Sequence, residues 1–232
     1  MGRRQHLIQK AYDLGQALPD WRRPARPRIR IITGYNEVIA SYGDIAAERM
    51  HAYAKRHGYD FIAFRSGFDA TRPPAWSKIL FSLRAMRGAD WVVWFDADIL
   101  IADLNRPLES FLTPDHDIIM AEHTAPGPHP NTGVFILRNR LWVRAFLRHV
   151  YSQTSVIQHP WWEQVAWNIL MEKHCLPRIR VLPARGLNSL YASQAQQDVY
   201  RPGDFIVHFA GLPGKCNLMH RFLAASVLPP SA

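Results

Sequence analysis

The sequence predicts an α/β fold: a single domain with a mixed, mainly parallel sheet flanked by helices. The first half of the chain predicts this most directly, because short apolar runs alternate there with segments of helical spacing. That alternation is typical of parallel strands joined by crossover helices. Composition agrees, since a chain of 232 residues that is 48% hydrophobic and 20% charged can bury one full core.

The elements of the first half follow from apolar spacing and from glycine. Ile45, Met50 and Tyr53 recur at helical spacing before Gly58, and a second apolar stripe ends at Gly88. The runs rich in valine and aromatic residues between these helices are typical of buried strands. We therefore predict strands over 29–32 and 59–64 and from residue 91, and helices over 45–56 and 76–87.

The second half of the chain is less regular. Residues 122–130 contain three prolines and a glycine, which predicts a loop. Residues 212–232 show turn chemistry, one short helix and an end that we expect to be disordered. The remaining segments predict strands over 117–121, 133–137, 179–182 and 205–209, and helices over 141–151 and 161–173.

Three segments divide the chain. Residues 1–28 are predicted to form a short helix over 6–18 and then an extended arm, in which arginines surround Pro24 and Pro27. The main domain is predicted over residues 29–216. A C-terminal tail follows over residues 217–232.

Basic residues outnumber acidic ones by 28 to 19, which gives a net charge of +9 with histidine neutral. This excess favours anionic partners such as phosphates, nucleic acid or an acidic membrane surface, without choosing among them. No nucleic-acid recognition motif is visible in the sequence, so we expect no nucleic-acid partner. The arginine arm is a candidate for peripheral contact with an anionic membrane.

The cysteines and the first residues predict the compartment. Cys175 and Cys216 are too few for a disulfide-stapled secreted scaffold. The first ten residues lack the apolar stretch of a signal peptide, and no apolar run in the sequence approaches the length of a membrane span. We therefore expect a cytoplasmic protein, with peripheral attachment to the inner membrane face as the alternative.

The most informative stretch is WVVWFDADIL at residues 91–100, where an apolar strand runs directly into Asp96 and Asp98. Open α/β sheets bind ligands just beyond the carboxyl ends of their strands. Carboxylates two residues apart on an extended segment point the same way, so both can face one divalent cation that also takes oxygens from a diphosphate. This pattern predicts a nucleotide diphosphate sugar as substrate. An ordinary polar turn at a strand end is the alternative.

Six segments together carry a resemblance to a known family. They are YAKRHGYDF at 53–61, AWSKI at 75–79, DWVVWFDADILI at 90–101, NTGVFILRN at 131–139, WWEQVAW at 161–167 and IVHFAG at 206–211. In this order and spacing the chain resembles the fungal and plant α-galactosyl, α-mannosyl and α-xylosyl transferases. The resemblance extends over residues 29–216. It implies the Rossmann-like GT-A fold of nucleotide-diphospho-sugar transferases.

The resemblance also implies a metal site formed by Asp96, Asp98 and His208. Its cation would be Mn²⁺, with Mg²⁺ as the alternative, because an imidazole nitrogen beside two carboxylates favours manganese. A half-buried histidine that is satisfied by a backbone carbonyl is the alternative for His208.

Further donor-binding residues are implied at the ends of strands and in the loop after His208. The turn after the first strand would contact the nucleoside, lysines would lie near the diphosphate, and an amide with a neighbouring glycine would lie against the sugar. These donor-binding residues are Thr33, Gly34, Tyr35, Asn36, Lys78, Asp96, Asn131, Gly133, Gly211 and Lys215.

Glu163 and Gln164 match the acidic residue and glutamine that lie under the donor sugar in the family, so both are candidate catalytic residues. If the reaction retains the anomeric configuration, either a side chain bonds the anomeric carbon transiently or the acceptor attacks from the face that the diphosphate leaves. Both schemes stay open. Trp161, Trp162 and Trp167 either pack against sugar rings or belong to the core.

We therefore expect a metal-dependent retaining glycosyltransferase. It would move a sugar from a nucleotide diphosphate donor, UDP-galactose first and GDP-mannose second, to a hydroxyl group of a glycan or lipid-linked acceptor. The alternative is a non-catalytic basic module that binds nucleic acid or an anionic glycan on a transferase-like fold.

Overall fold

The computed structural model describes residue 10 and residues 26–123, 129–174 and 176–227. The helix predicted over 6–18, apart from residue 10, lies outside the described residues, as do most of the arginine arm and the last five residues of the tail. In the described part of the chain, none of the helices combines the length and the hydropathy that crossing a bilayer requires.

The strands form one large sheet and one small one within these ranges. They are β1 (Ile29–Gly34), β2 (Asp60–Phe64), β3 (Trp91–Phe95), β4 (Ile99–Ile101), β5 (Ile118–His123), β6 (His129–Arg138), β7 (Ile179–Leu182) and β8 (Ile206–His208). The large sheet has the order β2-β1-β3-β6-β5-β7. β1 is parallel to β2 and β3, and β5 is parallel to β7, whereas β6 runs antiparallel to β3 and β5. The predicted mixed, mainly parallel sheet is confirmed.

Six α-helices lie in the described ranges. They are α1 (Ala40–His57), α2 (Ser77–Ala85), α3 (Leu141–Tyr151), α4 (Glu163–Lys173), α5 (Ala184–Leu187) and α6 (Lys215–Val227). α1 begins five residues before the prediction because Gly43, a poor helix former, is held in it by a tertiary contact. A Cβ at Gly43 would lie 2.4 Å from the Tyr35 ring, so only glycine lets the helix pack there.

The hairpin of β5 and β6 is longer than predicted. Residues 122–130 were expected to form a loop, but Glu122 pairs with Pro130 and His123 with His129. A register shift after Met120 accompanies this extension. Only residues 124–128 lie between the strands, and they are outside the described residues.

β4 and β8 form the small sheet, of which the sequence predicted β8 but not β4. The strand at 205–209 was expected, whereas the three residues of β4 were hidden in the run that continues the D-x-D segment. Their antiparallel pairing places His208 opposite Ile99. A histidine that is about 110 residues away in sequence is thereby brought beside Asp98.

Apolar residues cover both faces of the large sheet. Ile31 and Val93 pack into the core on one face, whereas Ile32 and Val92 pack into the core on the other. All five residues of β3 are buried. A strand that is covered on both faces is expected to be continuously apolar, which explains why the run before Asp96 does not alternate.

Candidate active site

A cleft of about 860 Å³ opens at the carboxyl ends of β1 and β3. Gly34 and Asp96 line it from these strand ends, Gly133 from β6, His208 from β8 and Glu163 from the start of α4. A ligand site at this edge is expected for an open α/β sheet.

Asp96, Asp98 and His208 converge in this cleft. Their candidate ligand atoms all lie within 4.8 Å of one another. The Asp96 amide donates a hydrogen bond to the Gly133 carbonyl at 2.8 Å, and the Phe209 amide donates to the Asp98 carbonyl at 2.9 Å. The backbone of the strand ends therefore holds this cluster in place.

Asn188 orients the imidazole of His208. The His208 Nδ1 lies 2.9 Å from the Asn188 Oδ1, and the Asn188 amide donates to the Glu122 carbonyl at 3.3 Å. Because the Asn188 oxygen accepts, Nδ1 carries a proton, and Nε2 faces the cluster, 3.2 Å from the Asp98 Oδ1. A histidine held this way by its second nitrogen is typical of a metal ligand.

Gly133 is required for this close packing. A Cβ at Gly133 would lie 2.6 Å from the His208 Cε1 and 2.8 Å from the Asn131 Oδ1. Two carboxylates and one oriented imidazole nitrogen match the donors that divalent manganese or magnesium takes. Asp96, Asp98 and His208 therefore fit a divalent cation.

Lys215 is the first residue of α6, and its Nζ lies 2.5 Å from the Asp98 Oδ2. Burial opposes ionisation of Asp98, but His208 and Lys215 outweigh it and lower the pKa of this carboxyl. The loop before Lys215 contains Gly211 and Gly214 in the left-handed region, at φ 68° and 63°. Gly211 and Lys215 both line the cleft.

Lys78 lies between two carboxylates and is only 4% exposed. Its Nζ lies 2.8 Å from the Asp96 Oδ1 and 2.8 Å from the Glu163 Oε1, and it donates to the Thr132 carbonyl at 3.2 Å. Burial alone would favour the neutral amine, but Asp96 and Glu163 outweigh it and raise the pKa of Lys78. The ammonium group therefore joins Asp96 to Glu163.

Glu163 is 2% exposed, and its two oxygens differ. Oε1 accepts from the Thr132 hydroxyl at 2.9 Å and pairs with Lys78, whereas Oε2 is buried without a hydrogen-bond partner among the described residues. Burial raises the pKa of Glu163, Lys78 opposes the rise, and the negative charge of Asp96 adds to it. An unsatisfied buried carboxylate oxygen is unusual and marks a group with another use.

Gln164 faces β6. Its Oε1 accepts from the Asn131 side-chain amide at 3.2 Å and from the Thr132 backbone amide at 3.1 Å. Asn131 in turn accepts from the Gly133 amide at 2.8 Å. The structure thus brings the two candidate catalytic residues together with Asn131 and Gly133.

The turn after β1 is only partly arranged as predicted. Gly34, Tyr35 and Asn36 line the cleft, whereas Thr33 is fully buried in the sheet and lies outside the lining. The Tyr35 ring is 3% exposed, lies 4.4 Å from the Arg65 guanidinium carbon and donates its hydroxyl to Asp44 at 2.8 Å. The turn therefore offers its backbone and Asn36 to a ligand, and the Tyr35 ring is held by the protein.

Sequence reasoning missed Thr132 and Asn188. Asn188 lies in an irregular segment 20 residues before His208, where no local pattern points to a role. Thr132 lies between Asn131 and Gly133, which were predicted, but only the contact of its hydroxyl with Glu163 shows that it belongs to the site.

Solved structures with the same fold are glycosyltransferases. One, involved in the glycosylation of the major capsid of PBCV-1, has a TM-score of 0.71 at 19% identity over 84% of this chain and 100% of its own. The galactosyltransferase LgtC, solved with donor and acceptor sugar analogues, has a TM-score of 0.57 at 15% identity over 87% and 98% of the two chains. The fold is therefore that of the GT-A glycosyltransferases.

The family model for the galactosyl transferase GMA12/MNN10 family matches residues 27–127. The chain resembles this family. A curated relative, the probable alpha-1,2-galactosyltransferase gmh1 of Schizosaccharomyces pombe, is 26% identical over 209 residues. That match covers 71% of this chain and 62% of the relative, so the chain spans less than two thirds of the relative's length. The resemblance expected from the six segments is confirmed, and the GMA12/MNN10 match itself covers the three segments before residue 128.

Proposed function

We propose that this chain is a metal-dependent retaining glycosyltransferase that moves a sugar from a nucleotide diphosphate donor to a hydroxyl group of a glycan or lipid-linked acceptor. UDP-galactose is the first choice of donor and GDP-mannose the second. The observation that carries the proposal is the convergence of Asp96, Asp98 and His208 at the strand ends. The name of the fission yeast relative supports galactose.

The cluster is suited to a diphosphate. A divalent cation held by Asp96, Asp98 and His208 would supply positive charge to the phosphate oxygens of the leaving group. Lys215 adds a second positive charge beside Asp98, where negative charge develops as the sugar leaves. Lys78 has a different role in this proposal, because its contacts with two carboxylates and a carbonyl make it a positioning residue for Asp96 and Glu163.

Glu163 and Gln164 supply the negative and dipolar groups that a positive, oxocarbenium-like sugar needs. Glu163 carries a buried oxygen without a partner among the described residues, and Gln164 is fixed by Asn131 and Thr132. Asn131 and Gly133 hold the neighbouring backbone for the sugar hydroxyls. The proton of the acceptor hydroxyl passes to the leaving phosphate, so no further base is needed. Retention fits either a glycosyl-enzyme on a side chain or attack from the face that the diphosphate leaves.

The first test is the Asp98→Asn variant. We expect it to lose transfer by about a thousandfold, the scale of losing a group that stabilises transition-state charge, while the circular dichroism spectrum stays that of the wild type. The matched control is Asp60→Asn, because Asp60 is an exposed carboxylate at the other end of the sheet. Unchanged transfer by Asp98→Asn would exclude the metal assignment.

A thermal-shift panel identifies the donor. UDP- and GDP-sugars are each added with and without Mn²⁺, because a ligand that binds only the native state raises the melting temperature. We expect a manganese-dependent rise with UDP-galactose that Asp98→Asn abolishes. NMR of the first product formed then decides between retention and inversion. No rise with any donor would favour the basic binding module.

A further inference from the structure

The mouth of the cleft carries three rings that the proposed reaction does not use. We define the aromatic rim as His129, Trp161 and Trp162, which all line the cleft. Trp161 is 42% exposed and Trp162 is 47% exposed, although tryptophan usually buries most of its surface. We propose that the aromatic rim binds the terminal sugar ring of a neutral glycan acceptor. This inference rests on the proposed function of the same cleft.

Two rings of the rim, those of Trp161 and His129, are held in place by contacts with each other and with His159. The Trp161 ring stacks on the His129 ring with centroids 4.9 Å apart and planes 7° apart, and the His159 ring meets it edge-on at 5.9 Å. The Trp161 amide donates to the His159 Nδ1 at 3.1 Å. A large apolar ring presented rigidly to solvent is costly unless a ligand covers it, and the C–H face of a sugar ring is a suitable cover.

The backbone at Trp162 is strained in a way that favours a function for its side chain. Trp162 has φ 45° and ψ −127°, and it is the one non-glycine residue with positive φ in the described part of the chain. Glycine adopts this conformation freely, so the tryptophan is kept at a cost to folding. A glycine at position 162 would avoid this strain and would lack the indole ring, so the ring is the reason to keep tryptophan there.

The rim is joined directly to the candidate catalytic residues. The Trp162 amide donates to the His159 carbonyl at 2.8 Å, and the Gln164 amide donates to the Trp161 carbonyl at 3.1 Å. Trp162 is followed at once by Glu163. An acceptor ring on the rim therefore lies on the same wall of the cleft as Glu163 and Gln164, within one turn of chain.

The charges of the cleft select a neutral acceptor. Among the described lining residues, the lysines and carboxylates all belong to the cluster around Asp96 and Asp98, where they are already paired with one another. Two further lining residues adjoin the rim: Pro160 precedes Trp161 in the chain, and the His123 ring lies 5.4 Å from the His129 ring. The described lining contains no arginine, and both of its lysines are paired with carboxylates, which favours a glycan over a phosphate-bearing lipid-linked acceptor.

Two variants test the rim, Trp161→Ala and Trp162→Gly. Saturation-transfer NMR measures binding of methyl β-galactoside and methyl α-mannoside, with mannose 6-phosphate as the charged probe. We expect the wild type to bind a neutral glycoside in preference to the phosphorylated sugar, and each variant to bind it about tenfold more weakly. Trp161→Phe, which keeps an aromatic face, should retain most of the binding. Leu141→Ala, at an exposed apolar residue outside the cleft lining, is the control.

Structural damage is separated from loss of a subsite by two readouts. Trp162→Gly should melt at a higher temperature than the wild type, because it relieves the positive φ, and yet bind the glycoside less well. The donor-dependent thermal shift should stay as in the wild type, because the donor binds at the cluster around Asp96 and Asp98 and the rim contacts the acceptor. A wild type that shows no donor-dependent thermal shift would overturn the proposed function. Glycoside binding that the variants leave unchanged would overturn the proposal for the rim, and so would stronger binding of mannose 6-phosphate.

Discussion

Asp117 and Glu163 are both carboxylates that are 2% exposed and paired with basic side chains, but their surroundings differ. Both Asp117 oxygens are satisfied: Oδ2 accepts from the Trp142 indole at 2.7 Å and from the Arg178 Nε at 2.6 Å, and Oδ1 accepts from Arg178 at 2.9 Å. Glu163 has one satisfied oxygen and one without a partner among the described residues.

Their pKa values move in opposite directions. Burial favours protonation of Asp117, but Arg178 and Trp142 outweigh it and lower the pKa. Burial raises the pKa of Glu163, and the charge of Lys78 offsets only part of this rise. Asp117 immediately precedes β5, and its backbone also bonds to Arg178 and Arg138, so its network joins the ends of neighbouring strands. The difference shows that the cleft keeps a partly satisfied carboxylate at a cost in stability, which is typical of functional sites.

Among the changes that test this comparison of Asp117 with Glu163, Glu163→Gln has the largest expected effect. The amide keeps the oxygen that accepts from Thr132 and Lys78, so the melting temperature should change by no more than about 3 °C. Transfer should fall by about 100- to 1000-fold, because the negative group beside the sugar is lost. The matched control is Glu172→Gln, an exposed residue of the same helix. A variant with normal transfer would make Glu163 a structural residue like Asp117.

Asp117→Asn should do the reverse of Glu163→Gln: it should lose stability and keep its transfer activity. It removes the negative charge that Arg178 contacts at 2.6 Å, and since the Arg178 side chain is partly exposed we expect a loss of about 2 to 3 kcal/mol in the free energy of unfolding. Urea denaturation measures this loss. Transfer at a temperature where the variant is folded should match the wild type, and Asp115→Asn, at an exposed residue nearby, should change neither property. Lost transfer in the folded variant would contradict the comparison.

The smallest expected effect is on the pH dependence of stability, to which Asp117 and Glu163 should contribute with opposite sign. Because the pKa of Asp117 is lowered by folding, its contribution to stability is present above about pH 4 and is lost on further acidification. The stability deficit of Asp117→Asn should therefore shrink below pH 4. Because the pKa of Glu163 is raised by folding, the wild type should gain stability relative to Glu163→Gln as the pH falls towards 4. Urea midpoints at pH 7, 5 and 3.5 measure both trends, and parallel trends would remove the distinction.

Local pattern was enough for much of the fold. The helix over 141–151 and the strand over 179–182 have the predicted bounds, because apolar spacing and turn residues delimit them without help from other segments. The run before Asp96 also predicted a strand whose end opens on a ligand site. Bounds failed where tertiary contacts extend an element, as at Gly43 in α1 and at the paired ends of β5 and β6.

The sequence by itself therefore determined the alternation of strands and helices and the two carboxylates that follow β3. The resemblance implied that His208 joins them, but only the tertiary structure decided how distant groups reach them and what orients each one. The β4–β8 pairing brings His208 to Asp98, Asn188 orients its ring, and Lys78 joins Asp96 to Glu163. These contacts join residues that are 18 to 110 positions apart. Periodicity carries no information about such pairs, because it records which face of an element is buried and not what lies opposite.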